Sequence, residues 1–118
     1  MFSYTFSDCN GLTGSVPGKL FSGITGAPAA WMFESTFQFC NMLTGIGDGL
    51  FDGITGAVQT NMFRSVFGSC SSLTGPSATS DGQFLYEKWP GATTSHVMRA
   101  YQFATKLSDY AQIPAAWK

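Results

Sequence analysis

The side chains with the most chemistry to offer are three cysteines, Cys9, Cys40 and Cys70, and a single histidine, His96. A thiolate is a nucleophile and a metal ligand, and an imidazole is a base and a metal ligand. Either needs an oriented partner to do such work. No cysteine has a second cysteine or a histidine close by, so no zinc-type ligand set forms. His96 likewise lacks a nearby Cys, His or carboxylate partner and reads as a surface histidine. Asp48, Asp52 and Asp81 stand near glycines, but calcium takes six or more oxygens, usually from closely alternating acids. Asp48-Gly49-Leu50-Phe51-Asp52 is too sparse for that, and these read as solvated turn aspartates. No G-x-S-x-G elbow, P-loop or dinucleotide fingerprint occurs. The expectation is therefore no catalytic, cofactor-binding or metal-binding residue, no cofactor, and no enzyme.

The cysteines do carry information through their spacing, because each occupies the same place in a repeat. Met32–Gly56, MFESTFQFCNMLTGIGDGLFDGITG, is one full unit. Met1–Gly26, MFSYTFSDCNGLTGSVPGKLFSGITG, precedes it, and Met62–Gly75, MFRSVFGSCSSLTG, follows. The starting methionines, Met1, Met32 and Met62, set a period of 30–31 residues, which signals a stacked array. One domain results, with repeats over 1–31, 32–61 and 62–96 and an eroded capping repeat over 97–118. Glycines that recur with the repeat are turn glycines, not a phosphate cradle.

Within a unit, Met1, Phe2, Phe6 and Cys9 are spaced as one apolar helix face. In the second unit this predicts a helix from about Pro28 to Phe39, with Ala29, Met32, Phe33, Thr36, Phe37 and Cys40 inward. Ala30, Glu34 and Gln38 then face outward, with Trp31 and Ser35 at the margins. Leu12–Val16 reads as a brief strand, and Leu43 and Ile46 belong to its counterpart. Pro17 opens a short helical turn that sets Leu20 and Phe21 inward. Residues 76–83, PSATSDGQ, hold the tight-turn pair Asp81-Gly82 and read as a small hairpin or a protruding loop. Beyond them, Trp89, Tyr110 and Trp117 are expected to cover the end of the stack. Helical positions in successive units would lie roughly 9–10 Å apart, beyond the ~7 Å Cα limit of a disulfide. The cysteines thus read as free buried thiols.

Composition limits the partners. Only 11% of residues are charged and the net charge is −1, which argues against the basic stripe that nucleic acid requires. No run of about 18 apolar residues is present, so no membrane insertion is expected. No signal peptide is visible. The chain begins inside the repeat pattern, as if cut from a longer array or left with a bare N-terminal edge.

The segments Phe6-Ser7-Asp8-Cys9-Asn10-Gly11-Leu12-Thr13, Phe37-Gln38-Phe39-Cys40-Asn41-Met42-Leu43-Thr44 and Phe67-Gly68-Ser69-Cys70-Ser71-Ser72-Leu73-Thr74 resemble the F-x-x-C-x-x-L-T turn of BspA-type leucine-rich repeats of bacterial surface proteins. The resemblance covers Met1–Gly75, and the period here is longer than usual in that family by the segment L-F-x-G-I-T-G-A. It implies an extracellular or cell-surface protein that binds a protein partner or host surface, and carries no catalytic residues. The fold expected is α/β: a right-handed leucine-rich-repeat-like solenoid of about 3.5 coils, each with a helix, a short strand and a short helical turn, closed by a C-terminal cap. The candidate partner-contact residues are Trp31, Glu34, Gln38, Phe39 and Arg64, since variable outward positions on a constant frame carry recognition in repeat proteins. Trp31 has a second reading, packed partly under the preceding loop. The function expected is a non-enzymatic interaction module; the alternative is a spacer or C-terminal capping segment of a longer fibre-like protein that self-associates through its N-terminal edge.

Overall fold

A computed structural model describes residues 1–118. In it, the segments read as helix take another form. Residues 3–8, 30–39, 60–69 and 98–103 each run as overlapping turns. Every second N–H donates to the carbonyl three residues back: Glu34 to Trp31, Thr36 to Phe33, Gln38 to Ser35, Cys40 to Phe37. The intervening N–H groups donate to the next run instead: Phe33 to Met62, Ser35 to Arg64, Phe37 to Val66 and Phe39 to Gly68, at 2.8–2.9 Å. The first run donates likewise to the second, from Phe2, Tyr4, Phe6 and Asp8 to Met32, Glu34, Thr36 and Gln38. The third donates to the fourth, from Ser65, Phe67 and Ser69 to Met98, Ala100 and Gln102. Alternation of this kind satisfies a buried backbone without helix or sheet.

A non-glycine residue in the left-handed region recurs every fourth position along these runs. Tyr4 and Asp8, then Trp31, Ser35 and Phe39, then Asn61, Ser65 and Ser69, then Arg99 and Phe103, all have φ of 51–65°. No α-helix contains such a residue, and outside glycine each costs about 1–2 kcal/mol. The bonds between runs and the packing beneath them must offset that cost.

The expected α/β leucine-rich-repeat-like solenoid of about 3.5 coils is therefore not the fold. The α-helices are two single turns, α1 (Leu85–Lys88) and α2 (Thr94–Val97), followed by 3-10 turns at Tyr110–Gln112 and Ala115–Trp117. Two sheets of two strands each make up the β structure. β1 (Gly14–Val16) pairs in parallel with β2 (Leu43–Ile46), with Val16 opposite Ile46 and an irregularity after Gly14. β3 (Thr79–Ser80) pairs antiparallel with β4 (Gln83–Phe84). Only 6 of 62 backbone hydrogen bonds lie within these elements, so turns, not helices, set the architecture. The reason is what fills the gaps between the apolar residues. Ser, Thr, Asn and Gly have low helix propensity, and the first three compete for backbone bonds. A Phe-x-x-x-Phe-x-x-Cys spacing is met equally by turns that send one large side chain inward every four residues.

The inward set changes accordingly. Met32, Phe33, Thr36, Phe37 and Cys40 are buried as a helix face would have them, but so are Glu34 and Ser35. Ala29 and Leu20, expected inward, are exposed. The hairpin reading of residues 76–83 is the one found. Asp81 and Gly82 both have positive φ, 51° and 79°, the geometry whose twist suits a two-residue hairpin loop.

One contiguous core runs through the molecule. Its spine is two columns of stacked rings. Phe2, Phe33 and Phe63 stack at 5.8 and 5.7 Å. Phe6, Phe37, Phe67 and Tyr101 stack at 5.3, 5.3 and 5.8 Å, within 9° of parallel. Phe21 and Phe51 lie alongside, 5.7 Å apart. A backbone hydrogen-bond distance between runs brings equivalent residues near ring-stacking range, which helices packed 8–10 Å apart could not do.

Candidate interaction edge

The two ends of the ring columns differ. At the C-terminal end, Trp117 lies over Phe63 and Tyr101, at 6.1 and 6.4 Å, and Trp89 lies 5.5 Å from Phe63. Trp89, Tyr101 and Trp117 are all buried. The Tyr101 N–H donates to the Trp117 carbonyl, and the Trp89 indole N–H donates to the Gly56 carbonyl at 2.9 Å. Tyr110, the third aromatic expected there, is half-buried beneath the Lys118 ammonium at 4.6 Å.

At the N-terminal end nothing covers the columns. Phe2 and Phe6 are half-buried, each with one stacked neighbour in its column, and Phe21 tilts against Phe2 at 4.9 Å. With Leu20, Phe21 and Ile24 they line an apolar groove of about 330 Å³. Leu20 is 45% exposed, so the residue misplaced by the helical reading forms one wall of this groove. Above it stand the carbonyls of Met1, Ser3, Thr5 and Ser7, none of which accepts a hydrogen bond. Their counterparts in the second run, at Met32, Glu34, Thr36 and Gln38, each accept one.

The thiols follow the same polarity. Cys40 donates to the Phe6 carbonyl and Cys70 to the Phe37 carbonyl, both at 2.9 Å. Burial pushes both thiols up, that of Cys70 to about 12. A raised thiol pKa disfavours the thiolate, the form that attacks electrophiles and binds metals. Cys9, at the open edge, is half-buried, and no carbonyl lies beyond it to take its proton.

The five candidate contact residues differ in exposure. Trp31 is 45% exposed and Phe39 41%, and both occupy left-handed positions that turn them outward. Gln38 is half-buried. Glu34 is buried, not outward; it accepts a hydrogen bond from the Ser3 hydroxyl at 3.2 Å and lies 3.9 Å from the Arg64 guanidinium. Glu34 and Arg64 thus pair with each other across two runs.

The aspartates near glycines are spent on protein donors. Asp48 accepts from the Thr79 hydroxyl at 2.8 Å, and Asp52 from the Asp81 N–H at 2.7 Å. Asp81 accepts from the Gly53 N–H and pairs with Lys88 at 2.7 Å. No group of three or more His, Cys, Asp or Glu side chains converges to hold a metal. No helix is long and apolar enough to cross a membrane. A second groove, of about 390 Å³, is lined by Val58, Trp89, Pro90, Ala92 and His96. There His96 Nδ1 accepts the Thr93 N–H, and the Lys88 ammonium is shared by Ile54, Ser80 and Asp81.

Two features escaped sequence reasoning. The buried Asp109 carboxylate accepts the Ser77 N–H at 2.8 Å, the Ser77 hydroxyl at 2.6 Å and the Tyr86 hydroxyl at 2.9 Å. The carbonyl edge at Met1–Ser7 depends on which N–H groups leave their own run, and no residue type encodes that. Comparison of the chain with protein-family models, curated proteins and solved structures finds no match.

Proposed function

We propose that this chain is a non-enzymatic protein-interaction module that meets another polypeptide through its N-terminal edge. One observation carries the reading: the ring columns are closed by Trp89 and Trp117 at one end and open onto Phe2, Phe6 and Phe21 at the other. Leaving such rings in water forgoes roughly 1.5–3 kcal/mol for each large side chain that could be fully buried, and contiguous apolar surface of this kind marks interaction sites.

The test combines light scattering over a concentration series with binding of an apolar dye, 8-anilinonaphthalene-1-sulfonate. A free edge on a monomer binds the dye; an edge taken up by another copy gives a larger mass. Either behaviour is expected to vanish in Phe2→Ser/Phe6→Ser, with Cys40 and Cys70 still unreactive as proof of folding. A monomer that binds no dye, or a double variant that behaves as the parent chain, overturns the reading. Trp31 and Phe39 provide a second reading, in which the outer face makes the contact; Trp31→Ser/Phe39→Ser would then abolish partner binding and leave the edge behaviour unchanged.

A further inference from the structure

We infer that the occupant of the N-terminal edge is a polypeptide segment of the same aromatic-x-x-x-Phe-x-x-Cys pattern, folded as one more run of turns, and not a second copy of this chain. The inference rests on the edge being an interaction surface and adds the chemistry of what fits it. Between runs, hydrogen bonds have one direction: the earlier run gives N–H groups and the later run gives carbonyls. The first run has already spent the N–H groups of Phe2, Tyr4, Phe6 and Asp8 on the second. What remains at Met1, Ser3, Thr5 and Ser7 is a row of four unpaired carbonyls, so an occupant must bring donors at every second residue.

Two copies meeting edge to edge would set acceptors against acceptors, and desolvating an unpaired carbonyl costs about 1–3 kcal/mol. Two copies meeting edge to tail fare no better. At the far end the free donors are the N–H groups of Arg99 and Phe103, while the one between them, on Tyr101, is held by the Trp117 carbonyl. Trp117 also covers the Tyr101 ring that the incoming Phe6 would need. A separate segment of the repeat pattern has neither defect. It offers N–H groups at alternate residues, two rings four residues apart to continue the columns over Phe2 and Phe6, and a carbonyl to receive the Cys9 thiol. The Cys40 and Cys70 thiols already make that last contact with the preceding run.

The Cys9 thiol therefore reports occupancy. The experiment adds a synthetic peptide of residues 31–43, carrying Cys40→Ala to avoid disulfide exchange, to the full chain and follows alkylation of Cys9 by iodoacetamide. The expected result is a fall in the Cys9 rate of about tenfold or more at saturation, a ratio equal to RT ln 10, or about 1.4 kcal/mol. The same peptide N-methylated at Phe33 and Phe37 lacks two of the donors that would cross to the edge and should give no protection. A peptide that leaves Cys9 as reactive as in the free chain, or protection that survives N-methylation, overturns the inference. Self-association of the chain with Cys9 protected overturns it too, yet leaves the edge as an interaction surface. A monomer that binds no dye removes both.

Discussion

Tyr101 is the residue whose chemistry is least settled by its surroundings. Its ring completes a column, stacked on Phe67 and covered by Trp117, yet its buried hydroxyl makes no hydrogen bond of good geometry and has Ser77 and the Ala78 backbone near it. A buried hydroxyl left unpaired costs about 1–3 kcal/mol, whereas its removal with the ring retained costs little. Tyr101→Phe should thus leave stability unchanged or raise it by about 1 kcal/mol, read as a higher urea midpoint at constant slope. The pH dependence follows from the same position. Burial raises the Tyr101 phenol well above its ordinary value of 10.0, against an opposing pull from Ser77 and the Ala78 backbone and with the nearby Asp109 adding to the rise. Tyr86 is raised as well, by burial first and then by its bond to Asp109. A raised folded pKa means the unfolded chain gives up its proton first. Stability is then fully present below about 10 and is lost as pH rises toward the folded values. Alkaline titration followed by circular dichroism should show that fall, and Tyr101→Phe should lessen it. A variant with an unchanged alkaline limb would place the sensitivity in Tyr86 and the buried Cys40 and Cys70 thiols.

At the scale of elements, β3–β4 is where residue types speak most directly. Asp81 tolerates positive φ through its short polar side chain and Gly82 through its missing Cβ. Asp-Gly between short extended pairs is a hairpin signal that needs no tertiary context. Lys88, on α1, then ties the hairpin down through Asp81 Oδ2, the Ser80 hydroxyl and the Ile54 carbonyl. The Lys88 ammonium, with the Gly53 N–H second, holds the Asp81 carboxyl below its ordinary value of 3.8. A depressed folded pKa contributes stability that is present above the ordinary value and lost as pH falls through the folded one. Asp81→Asn should therefore be less stable than the parent at neutral pH and equal to it in strong acid. A difference that persists in acid would assign the effect to the Gly53 bond or the turn. The runs of turns show the opposite relation to sequence. The Met, Phe and Cys positions predict which large side chains go inward, and Met32, Phe33, Phe37 and Cys40 do. The element joining them was misread as helix because periodicity reports side-chain direction and not φ. The left-handed residues at every fourth place are Tyr, Trp, Phe, Arg, Ser, Asn and Asp, a mixture with no common signature. Their conformation comes from bonds to a run 30 residues away.

For the molecule as a whole, the columns turn stability into a question of position. Phe6, Phe37 and Phe67 occupy equivalent places in successive runs, but Phe6 is half-buried with one ring neighbour in its column, while Phe37 is sandwiched between two. Truncating a fully packed phenylalanine costs about 3–5 kcal/mol through lost burial and the cavity left behind. Phe37→Ala is expected to lose that much. Phe6→Ala should lose no more than about half, because water already reaches one face and no enclosed cavity remains. Since only two short helices and two small sheets exist apart from the core, no part can stay folded without the columns. Both variants should unfold in one transition with the parent's denaturant slope, by fluorescence and far-ultraviolet circular dichroism alike. Equal losses at Phe6 and Phe37 would mean that the N-terminal edge is already covered in the isolated chain, and a loss under 1 kcal/mol at Phe37 would mean that the columns are not the core. The expected inequality has a functional corollary. A segment that docks on the edge closes the last open position of the Phe6 column, so its binding should raise the cost of Phe6→Ala toward that of Phe37→Ala. Repeating the two unfolding curves with the peptide of residues 31–43 present measures that convergence. Stability and recognition would then draw on the same stacked rings, counted from one end of the molecule.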